Sequence, residues 1–288
     1  VLYNPYVHPK YTRKRQKIVL TLMVNHGYIT AEEKNAVLDI PIESLLAKKD
    51  SVSNGDSRAA IDYVINEIKS DTGYDLRETP MKVITTIDKD AQAVLNKLEK
   101  GEIYKFPNDA MQEGIAITDM ENGGISAISG GRNYGARGTN RATIKRQPGS
   151  TAKILFDYGP YIEYLNGSPA SLFLDEETTY TNGTPIKNAD GKYNGLMSMR
   201  DALAASRNIP ALKAFQAVNK ENPDYIKTFV KNLGINYGDE LYESAAIGGF
   251  DGVSPVQMSA AYAAYGRDGY YIEPYSYKEA TLLENGKV

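Results

Sequence analysis

The sequence contains no cysteine among its 288 residues, which excludes disulfide bonds, thiol catalysis and cysteine-ligated zinc. Histidine occurs only at His8 and His26, in an N-terminal stretch that we predict to be helical. The chain therefore has too few suitably placed histidines to favour a Ser-His-Asp triad or a histidine metal site. No run of about 18 apolar residues is present, as a membrane-spanning helix would require. The net charge of −3 gives no electrostatic argument for nucleic-acid binding. The sequence predicts no metal, no cofactor and no nucleic-acid partner.

Both ends of the chain favour a piece of a longer protein. The first residue is Val1 rather than methionine, and no signal peptide follows. At the other end, residues 276–283 predict a strand and Asn285-Gly286 predicts a hairpin turn, but the chain stops at Val288, before a returning strand. We expect the C-terminal part of the last domain to lie outside this chain.

Three successive segments are predicted. Residues 1–46 form two short helices, the second capped by Thr30 and Glu33 in a capping box. The basic run from Lys10 to Lys17 is typical of a solvated helix face, with a membrane-surface role as the alternative. Residues 47–111 form a linker region, and residues 112–288 form the first part of a larger domain.

Local patterns within the second and third segments predict helices and short strands. Helices are expected at residues 59–69, 88–100 with Asp88 as the cap, 153–165, 197–205, 211–218, 225–233 and 255–265. Strands are expected at residues 82–87 and 270–272, and as a hairpin at 114–119 and 124–129. Residues 166–195 are rich in loop-forming residues, and the acidic trio at 175–177 is typical of a solvated surface.

The strongest chemical candidate is the pair Ser150 and Lys153. Ser150 follows Pro148-Gly149 and opens an apolar helical pattern, so it is expected in the first turn of a helix, with Lys153 one turn along the same face. A desolvated lysine can lose its proton and act as base for the hydroxyl, and free backbone N–H groups at the helix start can hold developing negative charge. The alternative is an ordinary helix cap beside a solvated lysine.

A second candidate is the pair Ser206 and Asn208, at a break between two predicted helices. A polar pair there can project into a cleft, although helix capping is the alternative. Spacing alone does not decide between the two, because S-x-x-K and S-x-N are short patterns that chance can supply.

These residues carry a resemblance to a known family. Residues 140–142 (NRA), 146–153 (RQPGSTAK) and 206–211 (SRNIPA) resemble the transpeptidase domain of class A, bifunctional penicillin-binding proteins. Residues 83–88 are similar to the linker strand before that domain. Residues 3–5, Arg15 and 27–30 are similar to the last helices of the family's glycosyltransferase domain. The resemblance implies an α+β fold shared with serine β-lactamases, an antiparallel sheet flanked by helices.

The resemblance also implies residue roles. Ser150 would attack the carbonyl between the two terminal D-alanines of a peptidoglycan stem peptide, with Lys153 as the general base. Ser206 would relay a proton to the departing D-alanine, and Asn208 would hold Lys153 and the substrate amide. An amine of a neighbouring stem peptide would resolve the acyl-enzyme into a cross-link, and β-lactams would acylate Ser150 as substrate mimics. The Ser150 backbone N–H and one from a strand would form the oxyanion hole.

The sequence departs from the family's pattern in two ways. No Lys-Thr/Ser-Gly motif occurs, so a segment beyond Val288 is expected to supply it to the site. The glycosyltransferase core and the membrane anchor are also missing. The resemblance implies a parent protein that is also a glycosyltransferase, anchored at the extracytoplasmic face of the bacterial membrane, but no glycan-polymerising activity is assigned to this chain. Two alternatives stay open: a serine D,D-carboxypeptidase or β-lactamase-like hydrolase, and a non-catalytic peptidoglycan-binding module.

Overall fold

The computed structural model describes residues 3–46, 56–135 and 138–283. The chain divides into two compact units, residues 1–55 and 56–288. The second unit takes in most of the predicted linker, while the predicted boundaries at 46 and 111 stay predictions. The hairpin turn predicted at 285–286 lies outside the described residues.

The first unit contains two helices, α1 (Pro9–Asn25) and α2 (Ala31–Asp39), followed by a 3-10 turn at Ile42–Leu45. The predicted capping box of α2 is confirmed, because the Glu33 N–H donates to Thr30 Oγ1 at 3.1 Å and the Thr30 N–H donates to Glu33 Oε2 at 2.7 Å. The part of the chain that the structure describes holds no helix both long and apolar enough to cross a bilayer.

The second unit combines antiparallel strand pairs with helices. The strand pairs are β1 (Met81–Thr85) with β8 (Tyr277–Leu282), β2 (Ile115–Thr118) with β3 (Ile125–Ser129), β4 (Leu172–Asp175) with β7 (Gly195–Ser198), and β5 (Thr178–Thr179) with β6 (Pro185–Ile186). The helices are α3 (Arg58–Thr72), α4 (Lys89–Glu99), α5 (Gly159–Leu165), α6 (Met199–Ala204), α7 (Asn208–Glu221), α8 (Pro223–Asn232) and α9 (Pro255–Tyr265).

Several predicted elements are confirmed close to their expected bounds. The hairpin β2–β3 is antiparallel as predicted. The N-terminus of α4 is capped by Asp88, whose Oδ1 accepts from the Ala91 N–H at 2.7 Å. Helix α9 begins at Pro255 and ends at Tyr265, the bounds that were predicted for it.

Two predictions about local structure were wrong. Residues 270–272 are not a strand: Tyr271 packs against the hydrophobic core instead, and the Tyr270 carbonyl accepts from Arg267 Nε at 3.1 Å. The stretch 166–195 is mostly loop, as predicted, and also contains the short strands β4, β5 and β6. Asp175 is not solvated but 1% exposed, because it forms an ion pair with Arg207.

The largest hydrophobic core lies directly behind the Ser150–Lys153 segment. Ala152 of that segment, and Leu155 and Phe156 just beyond it, are fully buried in one cluster with residues of α7 and α8. Phe156 stacks obliquely on Phe250 with ring centroids 4.9 Å apart. The nucleophile candidate therefore stands on a segment that is anchored by apolar packing on its inner side.

Candidate active site

Ser150 and Lys153 lie on an irregular helix. A 3-10 turn at Gly149–Ala152 leads into a π-helical turn at Ile154–Tyr158 and then into α5. The predicted helix at 153–165 is thus present but is not a uniform α-helix. Pro160 gives the physical reason, since a proline ring in a regular α-helix clashes with the carbonyl four residues earlier, here that of Phe156, and the wider turn relieves this clash.

Two tyrosines of α9 bind the carbonyl groups of this irregular stretch. The Tyr262 hydroxyl donates to the Thr151 carbonyl at 2.7 Å, and the Tyr265 hydroxyl donates to the Ile154 carbonyl at 2.9 Å. Burial raises the pKa of both phenols, so both keep the proton that they donate. The helix was predicted from the sequence but this role of its tyrosines was not, since the signal in the sequence was only two tyrosines three residues apart.

Ser150 and Lys153 are joined through one turn of backbone, because the Lys153 N–H donates to the Ser150 carbonyl. The Ser150 side chain is exposed, whereas Lys153 is fully buried. The Lys153 ammonium donates to the Ser206 carbonyl at 2.6 Å, to Ser206 Oγ at 3.2 Å and to Asn208 Oδ1 at 2.8 Å. The structure thus brings Lys153, Ser206 and Asn208 into direct contact. None of the three contacts is to Ser150 Oγ.

The environment of Lys153 lowers its basicity. Burial lowers the pKa of Lys153 to about 8, with Asp157 opposing the shift and the positive charge of Arg207 reinforcing it. A lysine with this pKa is neutral in about one molecule in ten at pH 7, and can then accept a proton.

Ser206 adopts an unusual backbone conformation. Its φ is +52°, in the left-handed region that costs a residue with a side chain about 1–2 kcal/mol. This turn ends α6 and lets α7 begin at Asn208, so that the Ser206 carbonyl and hydroxyl and the Asn208 amide all face Lys153. Asn208 is fixed on its other side, since its Nδ2 donates to the Lys187 carbonyl at 2.8 Å.

A glycine-rich loop braces the chain just before Ser150. Arg146 and Val253 exchange backbone hydrogen bonds of 3.1 and 2.9 Å. A Cβ on Gly248 would lie 2.4 Å from the Gly149 nitrogen, and one on Gly252 would lie 2.6 Å from the Arg146 carbonyl carbon. Both positions therefore require glycine for close approach of two backbones.

Comparison with protein families and curated relatives points to one family. Residues 114–282, more than half of the chain, match the penicillin-binding protein transpeptidase domain. A similar relative is penicillin-binding protein 1A/1B of Bacillus subtilis, 40% identical over 99% of this chain and 32% of that protein. Penicillin-binding protein 1A of Streptococcus pneumoniae is 35% identical over 94% of this chain and 40% of that protein. The chain thus spans well under half of the length of both relatives.

Solved structures share the fold at low sequence identity. PonA1 from Mycobacterium tuberculosis in complex with penicillin V has a TM-score of 0.70 at 20% identity, covering 82% of this chain and 65% of that one. Penicillin-binding protein 1A from Haemophilus influenzae has a TM-score of 0.64 at 21% identity, covering all of this chain and 57% of that one. These likenesses confirm the predicted α+β transpeptidase fold.

Proposed function

The chain belongs to the penicillin-binding protein transpeptidase domain family, and from this premise we propose that it carries the nucleophile and base of a peptidoglycan D,D-transpeptidase. The observation that carries the proposal is the environment of Lys153. The Lys153 side chain is buried and its pKa is lowered. Ser206 and Asn208 bind its ammonium group one turn from an exposed serine.

In the proposed first step, neutral Lys153 takes the proton of Ser150 Oγ as this oxygen attacks the carbonyl between the two terminal D-alanines of a stem peptide. To do so, the Lys153 amine exchanges one of its present contacts for Ser150. The carbon–nitrogen bond to the last D-alanine then breaks. Its nitrogen receives a proton through Ser206, whose hydroxyl lies 3.2 Å from Lys153 Nζ, and D-alanine leaves.

In the proposed second step, the amine of a neighbouring stem peptide attacks the ester carbonyl. The amine loses a proton to the Lys153–Ser206 pair, and Ser150 Oγ leaves with a proton, so the serine is regenerated and a cross-link is formed. Negative charge on the carbonyl oxygen would be held by the Ser150 N–H and by a second N–H from a strand. β-Lactams would acylate Ser150 by the same first step, in keeping with the penicillin V complex of PonA1.

The setting of the whole protein is proposed on the same resemblance. Residues 1–46 would be the end of a glycosyltransferase domain, residues 47–111 a linker, and a further C-terminal segment would supply a Lys-Thr/Ser-Gly strand to the site. The protein would act at the extracytoplasmic face of the bacterial membrane.

Covalent labelling tests the proposal. The full-length protein is incubated with fluorescent penicillin, and the labelled peptide is identified by mass spectrometry. We expect one label on Ser150, its loss in Ser150→Ala, and its retention in Ser168→Ala, which removes an exposed loop hydroxyl. Label that persists in Ser150→Ala, or no label on the wild-type protein, would overturn the proposal. Rapid release of the label would indicate a hydrolase instead of a transpeptidase.

A further inference from the structure

The turn that holds Ser206 and Asn208 is fastened from behind by a buried polar network. Arg207, the residue between them, is only 5% exposed. Its Nε donates to Asp175 Oδ2 at 2.9 Å, its Nη1 donates to Asp190 Oδ2 at 2.9 Å, and its Nη2 donates to the Lys192 carbonyl. The guanidinium thus links Asp175, Asp190 and Lys192 to the middle of the turn.

Asp175, at the end of β4, is the centre of this network. Its Oδ2 accepts from Arg207 and from the Asn194 N–H at 3.0 Å, and its Oδ1 accepts from Asn188 Nδ2 at 2.7 Å. Asn188 is in turn held in one orientation, and its Oδ1 accepts from the Asn208 N–H at 2.7 Å. Two paths therefore run from the Asp175 carboxylate to the turn, one through Arg207 and one through Asn188.

We propose that Asp175 is a positioning residue for the acyl-transfer reaction, holding the Ser206–Asn208 turn against Lys153 through Arg207 and Asn188. The proposal rests on the proposed function of Ser150 and Lys153. The left-handed conformation of Ser206 needs such restraint, because a residue with a side chain stays in that region only when its surroundings hold it there.

Asp175 also acts on Lys153 through charge. Arg207 lowers the pKa of Lys153, and the two carboxylates that face the guanidinium, Asp175 and Asp190, partly neutralise its charge. Asp157 faces Lys153 from the π-helical turn, and the buried Tyr158 phenol lies near Asp175. Loss of the Asp175 charge leaves Arg207 less compensated, so Lys153 should lose its proton at lower pH.

The test compares Asp175→Asn with the wild type and with Glu176→Gln. Glu176 is the next residue along the chain but is exposed, and among the described residues its carboxylate contacts the Lys213 ammonium, at 2.8 Å, so its variant is the matched control. The second-order rate of acylation by fluorescent penicillin is measured from pH 6 to pH 10 on the full-length protein, together with thermal unfolding.

We expect Asp175→Asn to be acylated at Ser150 about 10- to 100-fold more slowly on the alkaline plateau, because the turn is misplaced. Its acid limb, which we expect near pH 8 in the wild type from the pKa of Lys153, should also move to lower pH. Glu176→Gln should match the wild type in both. A merely structural role would lower the melting temperature without moving the limb. A folded Asp175→Asn protein with wild-type rate and limb would overturn the proposal.

Asp190→Asn covers the case in which Asp175→Asn does not fold. The Asp190 side chain is 48% exposed and contacts the same guanidinium, so its loss should shift the acid limb in the same direction by a smaller amount. An unshifted limb in Asp190→Asn would then overturn the proposal. Failure of the proposed function is seen separately, as absence of label at Ser150 in the wild-type protein.

Discussion

At the scale of single residues, Asp157 is an ionisable residue that is completely buried. It lies one turn beyond Lys153, and within the described part of the chain neither of its carboxyl oxygens has a hydrogen-bond partner. Burial raises the pKa of Asp157 well above its usual value, and the charge of Lys153 only partly opposes this shift. Asp157 therefore stays protonated into a pH range in which an ordinary aspartate has ionised.

Asp157→Asn is expected to stabilise the protein, and the gain should grow with pH. Because the native pKa lies above the unfolded one, the contribution of Asp157 to the free energy of unfolding is greatest below the unfolded pKa of about 4. It then falls as pH rises towards the native pKa, by about 1.4 kcal/mol per pH unit. Asparagine has a similar shape and cannot ionise, so the variant loses this slope. Urea unfolding at pH 5, 6 and 7, below the titration of Lys153, measures the difference.

Asp239→Asn is the control for that measurement, since Asp239 is exposed. Its free energy of unfolding should follow the wild-type pH dependence. A constant difference between Asp157→Asn and the wild type across the three pH values would show that Asp157 ionises normally in the folded protein.

At the scale of elements, the glycine-rich loop at 248–252 and the segment before Ser150 form one unit of two closely packed backbones. Gly248 has φ +88°, and Gly269, in the turn after α9, has φ +89°. They differ in surroundings: a Cβ on Gly248 would meet Gly149, whereas nothing lies within 4 Å of one on Gly269. Substituting each of these two glycines therefore separates the cost of the left-handed backbone conformation from the cost of a steric clash.

Gly269→Ala should cost about 1–2 kcal/mol of stability, the price of a left-handed conformation alone. Gly248→Ala should cost clearly more and should also slow penicillin acylation, because the new methyl group displaces the backbone that carries Ser150. Chemical denaturation and labelling kinetics on both variants check this. Equal destabilisation with unchanged acylation in both would show that the two backbones do not need their close approach.

Helices with strong local signals were predictable, and elements that depend on distant partners were not. The caps of α2 and α4 are local features, and the structure confirms them. Strands β5 and β6 have two residues each, too few for an alternating pattern. The π-helical turn depends on the proline two residues beyond its end, and the burial of Asp175 depends on Arg207, which lies 32 positions further along the chain.

At the scale of the whole molecule, the pairing of β1 with β8 joins a predicted linker strand to the last described strand. The strands are antiparallel, with Met81 opposite Leu282 and Val83 opposite Ala280. Thr86, just after β1, donates its hydroxyl to the carbonyls of Ile125 and Tyr275. Both strands were predicted from the sequence but their pairing was not, because the period of a strand identifies its faces and not its neighbour. β1 is thus an integral part of the second unit.

The absence of cysteine makes this pairing directly testable by an engineered disulfide. Directly opposed residues of antiparallel strands have Cβ atoms about 4.5–5.5 Å apart, close to disulfide geometry. Val83→Cys with Ala280→Cys should therefore cross-link on mild oxidation and raise the free energy of unfolding by about 2–4 kcal/mol, reversibly with reductant. Val83→Cys with Thr281→Cys is the control, because adjacent residues of a strand point to opposite faces. Efficient cross-linking of the control pair, with none in the first, would mean that the register of β1 on β8 is shifted by one residue.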